Sequence, residues 1–247
     1  NELVSDLNKN KKKINLIPTM GNIHSGHLSL IFEASKFDAI NIVSIFINPL
    51  QFNDIKDFKN YPNTFNYDVD LLLKNNCEII FAPEIKEIYP EGLEIKKTVF
   101  KYREILCDSF RPGHFDGVTT VIKILLDNIK PSNVFFGEKD FQQLKIIEQL
   151  IIKNKFKINL VKCPSIRNIN GMSLSSRYIK FNESDKFYFQ KCAKIINENL
   201  QDLIKSFDIK IIHKIKNELQ DIGISTIEYC EVRNEENLEI SNTNKDS

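Results

Sequence analysis

Residues 39–47 read Ala-Ile-Asn-Ile-Val-Ser-Ile-Phe-Ile, a run so dense in β-branched and apolar side chains that neither face of the strand it forms suits water. Strands of that kind belong to parallel sheets covered by helices on both sides, since a sheet with one wet face alternates apolar and polar residues. Shorter runs of the same character recur at 14–17, 77–81, 134–136 and 158–161. Between them, apolar residues return at intervals of three and four. Examples are Leu28, Leu30, Ile31 and Ala34 within 26–36, and Phe65, Val69, Leu72 and Leu73 within 64–74, the last four expected to face inward. The same spacing joins Val118, Val121, Ile122, Leu125, Leu126 and Ile129 until Pro131 stops it, and it returns over 141–152. Five strands alternating with helices predict an α/β chain with a Rossmann-like, doubly wound parallel sheet. Residues 84–116 are less regular: 99–102 are compatible with one more strand, and Arg111-Pro112-Gly113-His114 reads as a loop.

Beyond Pro164 the pattern changes to a polar loop at 171–177, two amphipathic helices near 184–205 and 209–219, and a strand near 226–232. Two domains are expected, a Rossmann-like domain at 1–163 and a smaller C-terminal α+β domain at 164–247. The basic run at 9–13 reads as a solvated approach to the first strand, and 234–247 as a poorly ordered polar tail.

In an open sheet whose first and fourth strands are adjacent at the reversal point, ligands bind outside the carboxyl ends of those strands. Four unusual sequences fall on that edge: PTMGNIHSGH after strand 1, Asn48-Pro49-Leu50-Gln51-Phe52 after strand 2, Gly137-Glu138-Lys139-Asp140 after strand 4, and Ile166-Arg167 after strand 5. The first reads as an anion site. Gly21 and Gly26 let backbone approach closely, the first helical turn presents unpaired N–H groups, and His24 and His27 share one face. Beside a positive helix end an imidazole stays neutral and offers one N–H to a phosphate oxygen. The Gly21-to-Gly26 spacing mimics a Walker loop, but His27-Leu28 stand where Lys and Ser or Thr are required. Zinc would need three or four ligands, and no cysteine pair or suitably spaced acid accompanies the histidines. Asn48 reads equally as a local turn residue, and Asp140 as the N-cap of the helix opening at Phe141.

A net charge of +1 and the lack of Trp argue against a chain that grips nucleic acid or an anionic membrane. Five cysteines without a CxxC spacing suggest reduced thiols of a cytoplasmic protein. No export leader or run of eighteen apolar residues is evident, so no membrane span is expected.

The motifs PTMGNIHSGH, SIFINPLQF, FFGEKDFQQL and SLSSR, in this order, resemble those of the pantothenate synthetase (pantoate–β-alanine ligase) family. That family belongs to the nucleotidyltransferase superfamily, which includes the class I aminoacyl-tRNA synthetases. His24-Ser25-Gly26-His27 resembles the superfamily's first nucleotide signature and Leu174-Ser175-Ser176-Arg177 its second, mobile one. The chain departs from the family pattern in having Leu174 where Met is usual and Tyr67 before Asp68 where a second acid is common. The family's closing strand and arginine-containing tail are missing from the sequence, which does not start with Met, so an incomplete chain is expected.

The resemblance implies ATP-dependent ligation of pantoate and β-alanine through pantoyl adenylate, with Mg2+ accompanying ATP and with pyrophosphate and AMP released. It implies catalytic roles for His27, His24 and Lys139. ATP contacts are implied for Met20, Gly21, Asn22, Ile23, His24, Ser25, Gly26, His27, Gly137, Glu138, Lys139, Asp140, Ile166, Leu174, Ser175, Ser176 and Arg177. Gln51 and Gln143 would hold the small substrates, and Arg111 is a candidate for charge near the second one. The C-terminal domain would close over ATP, the protein would form a homodimer, and protein ligands for the metal stay unassigned. Alternatives are a nucleotidyltransferase acting on another small acid or phosphate, a nucleic-acid-binding relative of the synthetases, and a non-catalytic homologue.

Overall fold

The computed structural model describes residues 12–206 and 208–241. The expectation for 9–13 therefore falls largely outside the described residues, as does that for 242–247. The described residues separate into two compact units, divided between Ile166 and Arg167.

The first unit follows β1 (Ile14–Thr19), α1 (Ser25–Ala34), β2 (Ile40–Ile45), α2 (Phe65–Leu73), β3 (Ile79–Phe81), α3 (His114–Ile129), β4 (Asn133–Gly137), α4 (Phe141–Lys153) and β5 (Asn159–Cys163). All five strands are parallel in the order β3-β2-β1-β4-β5, so the winding reverses between β1 and β4. Leu16, Ile17, Val43, Val134 and Phe135 are fully buried, as expected of strands without a wet face. Ile31 and Ala34 of α1, Leu72 of α2 and Cys163 of β5 pack around Ile17, Val43 and Phe135. The apolar stripe of α3, Val118, Val121, Ile122, Leu125, Leu126 and Ile129, is buried throughout.

At the amino ends of four neighbouring strands runs a ladder of asparagines. Asn159 Nδ2 donates to Asn133 Oδ1 (3.1 Å), Asn133 Nδ2 to Asn15 Oδ1 (2.8 Å) and Asn15 Nδ2 to Asn41 Oδ1 (2.8 Å). Asn15 also donates to the Ala34 carbonyl and Asn41 to that of Asn76, so the ladder ties strands to the end of α1 and to the turn before β3. Its rungs match the backbone register, in which Asn15 pairs with both Asn41 and Asn133, and Asn133 with Asn159.

Three local expectations fail in this unit and its neighbour. Residues 99–102 are not a strand. Val99 and Tyr102 are buried, but Tyr102 and Glu104 adopt positive φ and the segment turns. Side chains hold it instead of a ladder: Arg103 bridges Asp108 (2.9 Å) and Asp116 (2.6 Å), and Gln142 donates to the Tyr102 and Ile105 carbonyls. Helix α2 faces inward through Asp68 and Leu72, with Phe65 and Leu73 exposed and Val69 only half-buried. Residues 226–232 are also not a strand.

In the second unit, α5 (Glu183–Ser206) and α6 (Lys210–Asp221) form a small core of Ile195, Leu203, Ile212, Ile215 and Leu219. Ile224, Ile227, Cys230 and Val232 pack on it. Their spacing signals burial, but a strand needs a partner backbone, and the described residues of this unit supply only isolated antiparallel bridges, Arg167 with Ser173 and Arg233 with Ile240. Contrary to the expected loose tail, 234–241 close a turn over buried Leu238, whose carbonyl accepts from Arg233 Nη1 (2.6 Å). Among the described residues no helix is long and apolar enough to cross a membrane.

Candidate active site

Strand β1 ends at Thr19, whose hydroxyl donates to the Ser44 carbonyl (2.7 Å) and accepts from the Gly21 amide (3.2 Å). Gly21 and Asn22 then take positive φ, 80° and 49°, which turns two successive amides toward one point. That point is Asp68. Its Oδ2 accepts from Asn22 N and its Oδ1 from Ile23 N, both at 2.8 Å, and Thr64 Oγ1 adds a bond to Oδ2 (3.1 Å). His24 is the N-cap of α1, its Nδ1 accepting from Gly26 N (3.1 Å), while His27 Nδ1 accepts from His24 N (3.3 Å). The imidazoles stack with centroids 4.0 Å apart.

This geometry corrects the expected source of anion contacts. The amides of Gly21, Asn22, Ile23, His24 and Gly26 are engaged within the protein, so the turn does not hold out a row of unpaired backbone N–H groups. With both Nδ1 atoms accepting, the proton of each neutral ring resides on Nε2, and two Nε2–H groups are the donors the turn offers. Both rings are held neutral. Burial depresses His24, aided by the Lys139 charge, and burial pushes His27 down to about 3, aided by His24 and Lys139. The dominant cause is desolvation rather than the helix end.

At the exit of β2, Asn48 is 1 % exposed and caps the turn Pro49–Gln51. Its Oδ1 accepts from Leu50 N (3.2 Å) and from the Tyr89 hydroxyl (2.7 Å), and its Nδ2 donates to Gln51 Oε1 and the Gly117 carbonyl, both at 3.1 Å. Gln51 Nε2 reaches Met20 Sδ (2.8 Å), linking this exit to that of β1. Helix α3 abuts the turn so closely that a Cβ on Gly117 would stand 2.2 Å from the Leu50 carbonyl oxygen, and His114 Nδ1 lies 2.7 Å from that of Gln51. The side-chain amide of Gln51 is thereby oriented.

Glu138, Lys139 and Asp140 form an exposed 3₁₀ turn after β4. Asp140 stands at the N-cap position of α4 but makes no side-chain cap hydrogen bond, so the expected capping role is not realised. Of the two neighbouring glutamines, Gln142 is buried in structural bonds and Gln143 is half-buried. Ile166 is exposed beyond β5, and Arg111 is half-buried at the end of the short turn Cys107–Phe110. In the second unit Leu174, Ser175, Ser176 and Arg177 are half-buried, and Ser175 Oγ accepts from Arg177 N (3.3 Å) at the head of a 3₁₀ turn. The first unit thus brings His24, His27 and Lys139 into electrostatic reach and joins Met20 to Gln51.

Sequence reasoning missed Asp68 as the anchor of the turn, although an acid four residues before Leu72 on the inward face of a helix is a signal that a buried partner exists. It also missed the Tyr89, His114 and Gly117 supports of Gln51, which carry no local signal. Both Asp68 oxygens are engaged, and no group of three His, Cys, Asp or Glu suited to a metal occurs among the described residues.

Comparison with known proteins agrees along the whole chain. The family model described as Pantoate-beta-alanine ligase matches residues 1–247. A pantothenate synthetase of Buchnera aphidicola is 44% identical over 238 residues, covering 94% of this chain and 83% of that protein. Among solved structures, a pantothenate synthetase from Thermus thermophilus superposes with a TM-score of 0.89 at 27% identity, covering 96% of this chain and 88% of its own. The pantoate-beta-alanine ligase of Francisella tularensis, complexed with beta-gamma ATP and beta-alanine, gives a TM-score of 0.79 at 35% identity, covering 88% of this chain and 83% of its own. With three motifs at the strand exits of a matching fold and a family match that leaves no part of the chain aside, the chain belongs to the pantoate-beta-alanine ligase family.

Proposed function

We propose that the protein joins pantoate to β-alanine at the expense of ATP, in two steps. A pantoate carboxylate oxygen attacks the α-phosphorus of ATP, forming pantoyl adenylate as pyrophosphate departs with the breaking P–O bond. The β-alanine amine then attacks the acyl carbon, the acyl–phosphate bond breaks, and AMP leaves. The observation that carries this reading is the pair of neutral imidazoles beside Lys139 at the sheet's reversal point.

Charge grows on phosphoryl oxygens and leaving pyrophosphate, so the chemistry is chiefly positioning and electrostatic stabilisation. Two Nε2–H donors and one ammonium supply that without a proton that must first be gained or lost. The turn 20–27, residues 137–140 and Ile166 form the nucleotide side in this reading, and the second unit contributes Leu174, Ser175, Ser176 and Arg177 as a closing element. Gln51 and Gln143 hold the small substrates, since a neutral amide orients a carboxylate without an ion pair that would blunt its attack. Arg111 serves the second substrate. Magnesium travels with the ATP phosphates, and the chain works as a cytoplasmic homodimer with reduced thiols.

The test is to supply pantoate, β-alanine and ATP and follow pantothenate and AMP. Equal amounts of the two are expected, with pyrophosphate exchange that requires pantoate. Exchange that proceeds with a different acid and not with pantoate would refute the assignment in favour of another nucleotidyltransferase.

A further inference from the structure

Asp68 is 1 % exposed, lies on α2, and receives hydrogen bonds from two consecutive amides of a turn more than forty residues upstream. Consecutive amides after a positive-φ residue form a concavity that binds anions, and here the protein's own carboxylate fills it. The fit is tight, since a Cβ on Gly21 would stand 3.0 Å from Asp68 Oδ2. Each carboxylate oxygen takes one amide, with the Thr64 hydroxyl adding a bond to Oδ2, so a side chain with a single acceptor oxygen cannot reproduce the grip. Immediately after the gripped Ile23 comes His24, whose backbone N–H in turn donates to the His27 ring.

We propose that Asp68 is a positioning residue for adenylate formation: by clamping the Asn22 and Ile23 amides it sets where the His24 and His27 rings stand before ATP arrives. The proposal rests on the reading that these rings meet the reacting phosphates. Asp68 touches neither substrate nor phosphate in this scheme and acts wholly through the backbone of the turn. A displacement of about 1 Å in a group that meets the reacting atoms costs on the order of 100-fold in rate, which gives the anchor its leverage.

The test uses the full chain as wild type, Asp68→Asn and Thr64→Val. Asp68→Asn keeps the side chain's shape but turns an N–H donor toward one of the two amides. With the circular dichroism spectrum retained, kcat for pantoate-dependent pyrophosphate release should fall by about 10- to 100-fold while KM for ATP and pantoate stays within about threefold. The 15N–1H signals of the Asn22 and Ile23 amides and of the His24 and His27 rings should move together without any ligand. A folded Asp68→Asn with kcat within about twofold of wild type, or with unmoved imidazole signals, overturns the proposal. If Asp68→Asn does not fold, Thr64→Val decides: a loss of about 3- to 10-fold in kcat at unchanged KM supports the anchor, and an unchanged kcat overturns it. If the wild type shows no pantoate-dependent pyrophosphate release, the functional reading fails by itself. The imidazole signals of the variants then judge the anchor, moved in its favour or unmoved against it.

Discussion

Acidifying the protein from pH 7 to pH 5 should destabilise it through His27. An imidazole in the unfolded chain titrates near 6.5, whereas burial, His24 and Lys139 push the folded ring down to about 3. Between those values the unfolded state binds a proton that the folded state refuses, so the stabilisation is complete above about pH 6.5 and is lost progressively as pH falls toward 3. From pH 7 to pH 5 the share due to His27 is about 2 kcal/mol, a ceiling because the residue keeps a partly exposed edge. His24 is depressed as well and acts in the same direction. The control is His27→Asn, whose Oδ1 can still accept from His24 N but does not titrate. Urea unfolding of both chains at both pH values should show the wild type losing up to about 2 kcal/mol more than the variant. Equal losses would refute a ring held neutral by its surroundings.

Three further outcomes are expected. His27→Ala should keep the fold and reduce pyrophosphate release by ~10² to 10³, the usual cost of removing one preorganised donor; an unchanged rate would remove the ring from the reaction. Gly117→Ala drives a methyl group into the Leu50 carbonyl and should cost about 1–3 kcal/mol in a urea melt while raising KM for pantoate through displaced Gln51. Hydrogen exchange at 171–177 should slow when ATP is added, and a rate that does not change would separate this loop from the nucleotide.

The strands were legible because burial on both faces leaves little but apolar side chains, as in 39–47, and α3 because its stripe of six residues has no polar interruption. The rim was legible for the opposite reason: Pro, Gly and His at strand exits suit neither strand nor helix interiors. What failed was whatever depends on distant partners. Residues 226–232 carry the spacing of a strand, yet spacing reports only which side chains turn inward, and pairing requires a second backbone. Asp68 meets amides at positions 22 and 23, and Asn133 meets Asn15 across 118 positions, separations over which no local pattern speaks. An Asn within the first two residues of four of the strands was the trace left in the sequence, and it gains meaning only once the strand order is known. The inward face of α2 does not follow the apolar spacing because a carboxylate, Asp68, defines it together with Leu72.

The asparagine ladder has a consequence for how the far edge tolerates its surroundings. Sliding any one of the four linked strands by a residue breaks side-chain rungs and backbone pairs together, so alignment is enforced twice at the end of the sheet opposite the histidines. Amide rungs carry no charge and gain or lose no protons. Protonation at the imidazole edge therefore changes nothing in the charge of the rungs that align β2, β1, β4 and β5.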